Sequence, residues 1–81
     1  DPMPVRAATL TARHHDRVGV LASVLQILRK EELNVSNMQN RVFAGSKAAV
    51  ASIDVGHLPS AEIVDEVQAL EDVIYISVTP A

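Results

Sequence analysis

The period at which apolar residues recur along this chain switches from two to about 3.6, returns to two for two successive stretches, then repeats 3.6 and two. That order constrains the fold more than any single residue. Val5 to His14 reads as a strand, with Ala8, Leu10 and Ala12 on one face and Thr9, Thr11 and Arg13 on the other. Asp16 offers a helix N-cap, and Val20, Leu21, Val24, Leu25, Ile27 and Leu28 form an apolar stripe that predicts a helix over 17–32. Asn34 to Phe43 suits a strand through Val35, Met38, Val42 and Phe43. Its polar residues (Ser36, Asn37, Gln39, Asn40, Arg41) imply an open face or a sheet edge. Ala44-Gly45-Ser46 is a hairpin signal, and Ala48 to Val55 alternates cleanly, with Ala49, Ala51, Ile53 and Val55 on one face. Ser60 can cap a second helix over 60–70 that turns Ile63, Val64, Val67 and Leu70 inward. Val73 to Val78 closes the chain as a strand, with Ile74, Ile76 and Val78 set against Tyr75 and Ser77.

The order β-α-β-β-α-β, with right-handed crossovers and a tight central hairpin, predicts an α+β, ferredoxin-like sandwich. One four-stranded antiparallel sheet carries both helices on one face. The first and third strands are then central, and 34–43 lies at an edge. Such folds serve many activities, so chemistry must decide among them. At 81 residues the chain is one small domain, and its 48% hydrophobic and 21% charged residues suit a packed globule. The domain is expected to span residues 5–79, with Asp1-Pro2-Met3-Pro4 as a terminus or linker. With no cysteine there is no disulfide, thiolate metal site or thiol redox chemistry. Phe43 and Tyr75 are the only aromatics and neither falls on a central strand, which argues against stacking of nucleic-acid bases. No apolar run of membrane-spanning length occurs, so a soluble, cytoplasmic chain without a membrane partner is expected. Residues 1–47 hold all seven Lys and Arg against four acids, whereas 48–81 hold six acids and neither base. The bases are scattered, which suits solvated surface better than a polyanion site.

The most informative stretch is the loop Asp16-Arg17-Val18-Gly19-Val20-Leu21 between the first strand and first helix. Arg17 lacks the glycine-rich cradle of a phosphate-transfer loop, and Asp16 would repel a phosphate, so no catalytic residue is assigned. The helix start presents free N–H groups and a partial positive charge suited to a carboxylate. Gly19 removes a side chain there, either for close helix packing or for the approach of a ligand. Asp16 serves either as a plain cap or as a ligand group. His14 and His15 read either as exposed strand-end residues or as ligand contacts.

These residues resemble those of ACT domains, the small regulatory modules that bind amino acids in enzymes of amino-acid metabolism. The resemblance covers about residues 5–79. It rests on strand–His14-x-Asp16-Arg17-x-Gly19-Val20-Leu21–helix, on Leu33-Asn34-Val35, and on the hairpin and second βα unit. Within the family the chain is most similar to the C-terminal regulatory domains of D-3-phosphoglycerate dehydrogenases. That closer match rests on His14 before Asp16, on Asn34-Val35, and on Met38-Gln39-Asn40-Arg41-Val42-Phe43-Ala44-Gly45 leading into Ala48-Ala49-Val50-Ala51.

The resemblance implies a non-catalytic domain that holds no cofactor or metal of its own, attached to an NAD-dependent enzyme of serine biosynthesis. It implies a homodimer or higher homo-oligomer, with an amino-acid effector, serine first, in the seam between two copies. The implied effector positions are His14, Asp16, Val18, Gly19, Val20, Leu21 and Asn34. Three residues depart from the family pattern. Asp16 replaces an asparagine, accepts but cannot donate, and suits an ammonium better than a carboxylate. Val18 replaces a proline, and Glu32 replaces the glycine that ends the first helix. The alternatives are a purely structural dimerisation module and an ACT domain of a different parent.

Overall fold

A computed structural model describes residues 6–45 and 47–81, so Asp1–Val5 and Ser46 lie outside the described residues. The elements are β1 (Ala8–His15), α1 (Val20–Lys30), β2 (Val35–Val42), β3 (Ala48–Val55), α2 (Ala61–Gln68) and β4 (Val73–Pro80). They form one antiparallel sheet in the order β2-β3-β1-β4, the ferredoxin-like plan that the order of periods predicts.

Strict alternation decides which side of the sheet is buried. Ala8, Leu10, Ala12 and His14 of β1 and Ala49, Ala51, Ile53 and Val55 of β3 are all closed off from solvent. One core joins that face to Val24, Ile27 and Leu28 of α1 and to Ile63 and Val67 of α2, so both helices cover the same side. Leu10, Leu28 and Ile53 are its largest fully buried aliphatic side chains, each contributing roughly 1.5–3 kcal/mol through burial. Among the described residues, no helix covers the opposite face of the sheet.

Strand β4 departs from simple alternation. Arg13 pairs with Tyr75 but His14 pairs with Val73, leaving Ile74 as an extra residue in a bulge. The extra residue turns Ile74 outward beside Tyr75, at 43% and 63% exposure, while Val73 and Ile76 are buried. The inward placement expected for Ile74 is therefore corrected.

Helix α1 also starts later than its apolar stripe suggests. Asp16 is not its cap: the cap position belongs to Gly19, at φ +87°, with no side-chain hydrogen bond. Asp16 lies too far upstream because the backbone around it is committed elsewhere. The Asp16 N–H donates to the Lys47 carbonyl, that of Arg17 to His15, and that of His15 to Asp72. These bonds hold residues 15–17 in a turn against β3 and the α2–β4 connection.

The other end of α1 closes without glycine. Glu32 adopts φ +55°. The Glu32 N–H donates to the Arg29 carbonyl and the Leu33 N–H to that of Leu28, the Schellman pattern, with Leu33 and Leu28 both in the core. Helix α2 begins as expected: Ser60 Oγ accepts from the Ile63 N–H. It ends at Gln68, and the Leu70 N–H returns to the Val67 carbonyl in a final turn.

Candidate functional site

The loop from His14 to Leu21 gathers six of the seven effector positions inferred from sequence at one end of the sheet. Val20 is buried and Leu21 packs on the core edge, so both anchor the helix start. Val18 is fully exposed, and a Cβ on Gly19 would meet nothing within 4 Å. Close packing therefore does not explain Gly19; its positive φ does. Val18, Gly19, Val20 and Ser23 line a shallow pocket of about 190 Å³ whose other wall is Leu70, Glu71 and Asp72. A second, polar hollow beside it is lined by His15, Asp16, Arg17 and Lys47. Asp72 draws these charges together, with its Oδ1 3.4 Å from both Arg17 Nη1 and His15 Nδ1. The His15 contact misses hydrogen-bond geometry, so its attraction depends on charge.

His14 is neither a solvated strand end nor a free ligand group. It is only 2% exposed. Its Nδ1 lies 2.9 Å from the His15 carbonyl oxygen and its Nε2 2.9 Å from Asn40 Oδ1. The link to Asn40 crosses an entire strand. His14 is paired with Ala49 on β3, and Asn40 of β2 with Ala51. Two strand spacings of about 4.8 Å separate their backbones. The ring and amide can meet over β3 because methyl groups form the floor between them. Asn40 belongs to the stretch that carries the closer resemblance but is not among the implied effector positions. The signal was its phase: it alternates with Met38 and Val42 on the helix-facing side of β2, an amide in an apolar register.

Asn34 stands apart from the other six. It is exposed at the start of β2, where its carbonyl accepts from the Gly56 N–H. The pairing of Val35 with Val55 and Val42 with Ala49 places it at the opposite end of the sheet from His14. Six residues of strand separate Asn34 from Asn40, or about 20 Å. One copy of this chain cannot bring all seven positions together.

At the same far end, Glu31 joins the two helices. Its carboxylate accepts from the Ser60 hydroxyl and from the Ser60 N–H at 2.8 Å. The hydroxyl bond first, then the N–H bond, hold the Glu31 pKa below the usual carboxylate value, with a smaller contribution from nearby His57; burial opposes them.

Among the described residues, no group of three His, Asp or Glu side chains is placed to hold a metal ion, and no helix is long and apolar enough to cross a membrane.

No family model matches this sequence, and no curated protein sequence matches it. Solved structures do. The ACT domain of GTP pyrophosphokinase from Chlorobium tepidum superposes with a TM-score of 0.68 at 10% identity, over 94% of this chain and all of that one. The fold is that of an ACT domain. The same ACT fold matches the C-terminal domain of MgtC from Mycobacterium tuberculosis at a TM-score of 0.76 and 12% identity, covering 100% of this chain and 93% of that domain. It also matches the quorum-quenching acylase GqqA at a TM-score of 0.75 and 25% identity, where all of this chain spans 45% of that one.

Proposed function

We propose that this chain is a non-catalytic regulatory domain that binds an α-amino acid in a seam between two copies. The observation that carries this reading is the division of the implied site between the two ends of β2. Strand β2 is a sheet edge with exposed Met38 and Val42 on its helix-facing side. Pairing two such edges about a two-fold axis makes them antiparallel and keeps all helices on one face. The start of one β2 then meets the end of the other. Asn34 of the partner subunit would approach the loop from His14 to Leu21, and the exposed apolar strip would be covered.

In this arrangement the N–H groups at the start of α1 that follow Val20, whose own N–H returns to the Arg17 carbonyl, take the ligand carboxylate, because no side chain caps them. Asp16 pairs with the ammonium from the outer side of the loop. Asn34 of the partner subunit completes the polar contacts. The loop and β2 motifs support serine as the first effector to test and a D-3-phosphoglycerate dehydrogenase-like, NAD-dependent parent. The ACT fold supports the coarser reading of an appended regulatory module.

A ligand of seven non-hydrogen atoms reaches about −10 kcal/mol at most, and a shared, solvated site falls short of that, giving dissociation constants of roughly micromolar to millimolar. NMR titration with serine, glycine and the other common amino acids tests the reading. The expected result is saturable shifts at Gly19, Val20 and Asn34 in a dimeric protein. Asn34→Ala is expected to weaken binding by about 1–2 kcal/mol with the fold intact, since it removes ligand hydrogen bonds and no core volume. Asp16 favours a second reading, a dimerisation module without a ligand, because its charge opposes a nearby carboxylate. A stable dimer in which no amino acid moves those signals establishes that reading instead.

A further inference from the structure

We propose that the sheet face opposite the helices is a second self-association surface, on which Asp54 of one copy sits between Arg13 and Arg41 of another. The inference is separate from the amino-acid reading and stands without a ligand. Arg13, Arg41 and Asp54 are the only Lys, Arg, Asp or Glu residues in the four strands. Register puts all three on this one face. Arg13 of β1 and Arg41 of β2 both pair with Val50 of β3, so the three form one row across the sheet. Two strand spacings, about 10 Å, separate the arginine backbones. Both arginines are exposed, and among the described residues neither has an acidic partner. Asp54 lies four residues along β3 from Val50, or about 13 Å. The Thr9 hydroxyl donates to its Oδ1 at 2.7 Å and fixes the carboxylate, and among the described residues no cation pairs with it.

This spacing is self-complementary. An in-plane two-fold axis through Ser52, perpendicular to the strands, exchanges the Val50 row with the Asp54 row. It sets the partner subunit's Asp54 over Val50, one strand spacing, or about 4.8 Å, from Arg13 on one side and Arg41 on the other. Sheets stack about 10 Å apart, a gap that an arginine and an aspartate span together. Each carboxylate then receives two guanidiniums, and symmetry repeats the contact. An axis parallel to the strands would set arginine against arginine, so charge selects the first. Ser52 and Thr11, on the axis, are short enough to let the faces close. Val50 separates two hollows, one beside Arg41 and the other beside Arg13, so both guanidiniums have room to turn toward it.

Area decides what the contact joins. Four strands of eight residues present a face of roughly 500 Å². Two such faces bury about 1,000 Å², the low end for a specific interface, whereas dimers already paired through β2 double that into the stable range. The two-fold axis that pairs the β2 edges is perpendicular to this one, so together they close an assembly of four copies.

Sedimentation of the full chain at high micromolar concentration, alone and in charge-altered variants, tests the surface. Wild type is expected to be a tetramer. Asp54→Asn keeps an acceptor for the Thr9 hydroxyl and removes the charge, so it is expected to fold and to raise the tetramer dissociation constant about tenfold. Arg13→Glu with Arg41→Glu makes the face acidic throughout, and Asp54→Arg makes it basic throughout. Each is expected to stop at the dimer. Their equimolar mixture is expected to return to the wild-type mass, a recovery that misfolded variants cannot produce. A wild-type dimer that these variants leave dimeric overturns the proposal while keeping the β2 pairing. A tetramer that they leave tetrameric, or a mixture that does not recover, overturns it as well. A wild-type dimer that they turn into monomers supports this surface and overturns the β2 pairing. A monomeric wild type overturns both.

Discussion

The two helices of this domain begin in opposite ways. Helix α2 starts closed: Ser60 Oγ accepts from the Ile63 N–H, and the Glu31 carboxylate takes both the Ser60 hydroxyl and its N–H. Helix α1 starts open: Gly19 provides the backbone turn without a side-chain acceptor, and Val18 beside it is fully exposed. The free N–H groups of a helix start need partners from protein, water or ligand. Satisfying them with side chains at α2 gives stability; at α1 the Val20 N–H returns to the Arg17 carbonyl and no side chain caps the groups beyond it. The closed start braces the fold; the open one is where a carboxylate can be received.

Substitutions at the two starts should separate these roles. The largest effect is expected at the closed start, where Ser60→Ala removes the cap and the hydroxyl bond to Glu31. It should destabilise the domain by about 1–2 kcal/mol, read as a fall in Tm of several degrees, about 4–8 °C per kcal/mol for a domain this size. At the open start, Gly19→Ala should cost about 1 kcal/mol through its positive φ. The added methyl meets no atom, so Gly19→Asn, which tolerates that conformation, should cost less in the same melts. If Ala and Asn cost the same, backbone conformation is not what Gly19 provides. Glu32→Gly should stabilise by roughly 0.5–1 kcal/mol in urea denaturation, since Glu32 holds a left-handed conformation that glycine adopts freely.

The fourth effect is pH-dependent. The lowered Glu31 pKa means that its bonds to Ser60 add stability above the usual carboxylate value and lose it as pH falls through the lower, folded value. Urea midpoints of wild type should therefore decline more steeply below about pH 4.3 than those of Glu31→Gln, which has no charge to lose there. Parallel declines would remove Glu31 from the account of the closed start.

Much of this fold was legible because two strands keep strict phase. Leu10 with its flanking alanines, and Ala49 through Val55, fix the buried side of β1 and β3 without reference to any contact. Ile74 was misread because phase holds only while register holds, and the bulge opposite Arg13 and His14 resets it. Asp16 was misread as a cap because its type suits that role, whereas the loop bonds to Lys47, His15 and Asp72 that displace α1 downstream come from distant segments. The loop half of the candidate site was legible as a contiguous motif. The bond between His14 and Asn40 was not, because it joins residues 26 apart across two alanines of a third strand.

The central claim is that two copies share each site, and mixing two defective variants tests it directly. Asp16→Ala damages the loop half and Asn34→Ala the β2 half, so each homodimer should bind L-serine weakly. In a mixed dimer, the intact loop of one subunit faces the intact Asn34 of the other, and both defects fall in the second site. Random exchange makes about half the dimers mixed, so the mixture should recover about a quarter of the wild-type sites at wild-type affinity. Calorimetric stoichiometry reads that fraction. A mixture that binds no better than its two components would contradict a shared site.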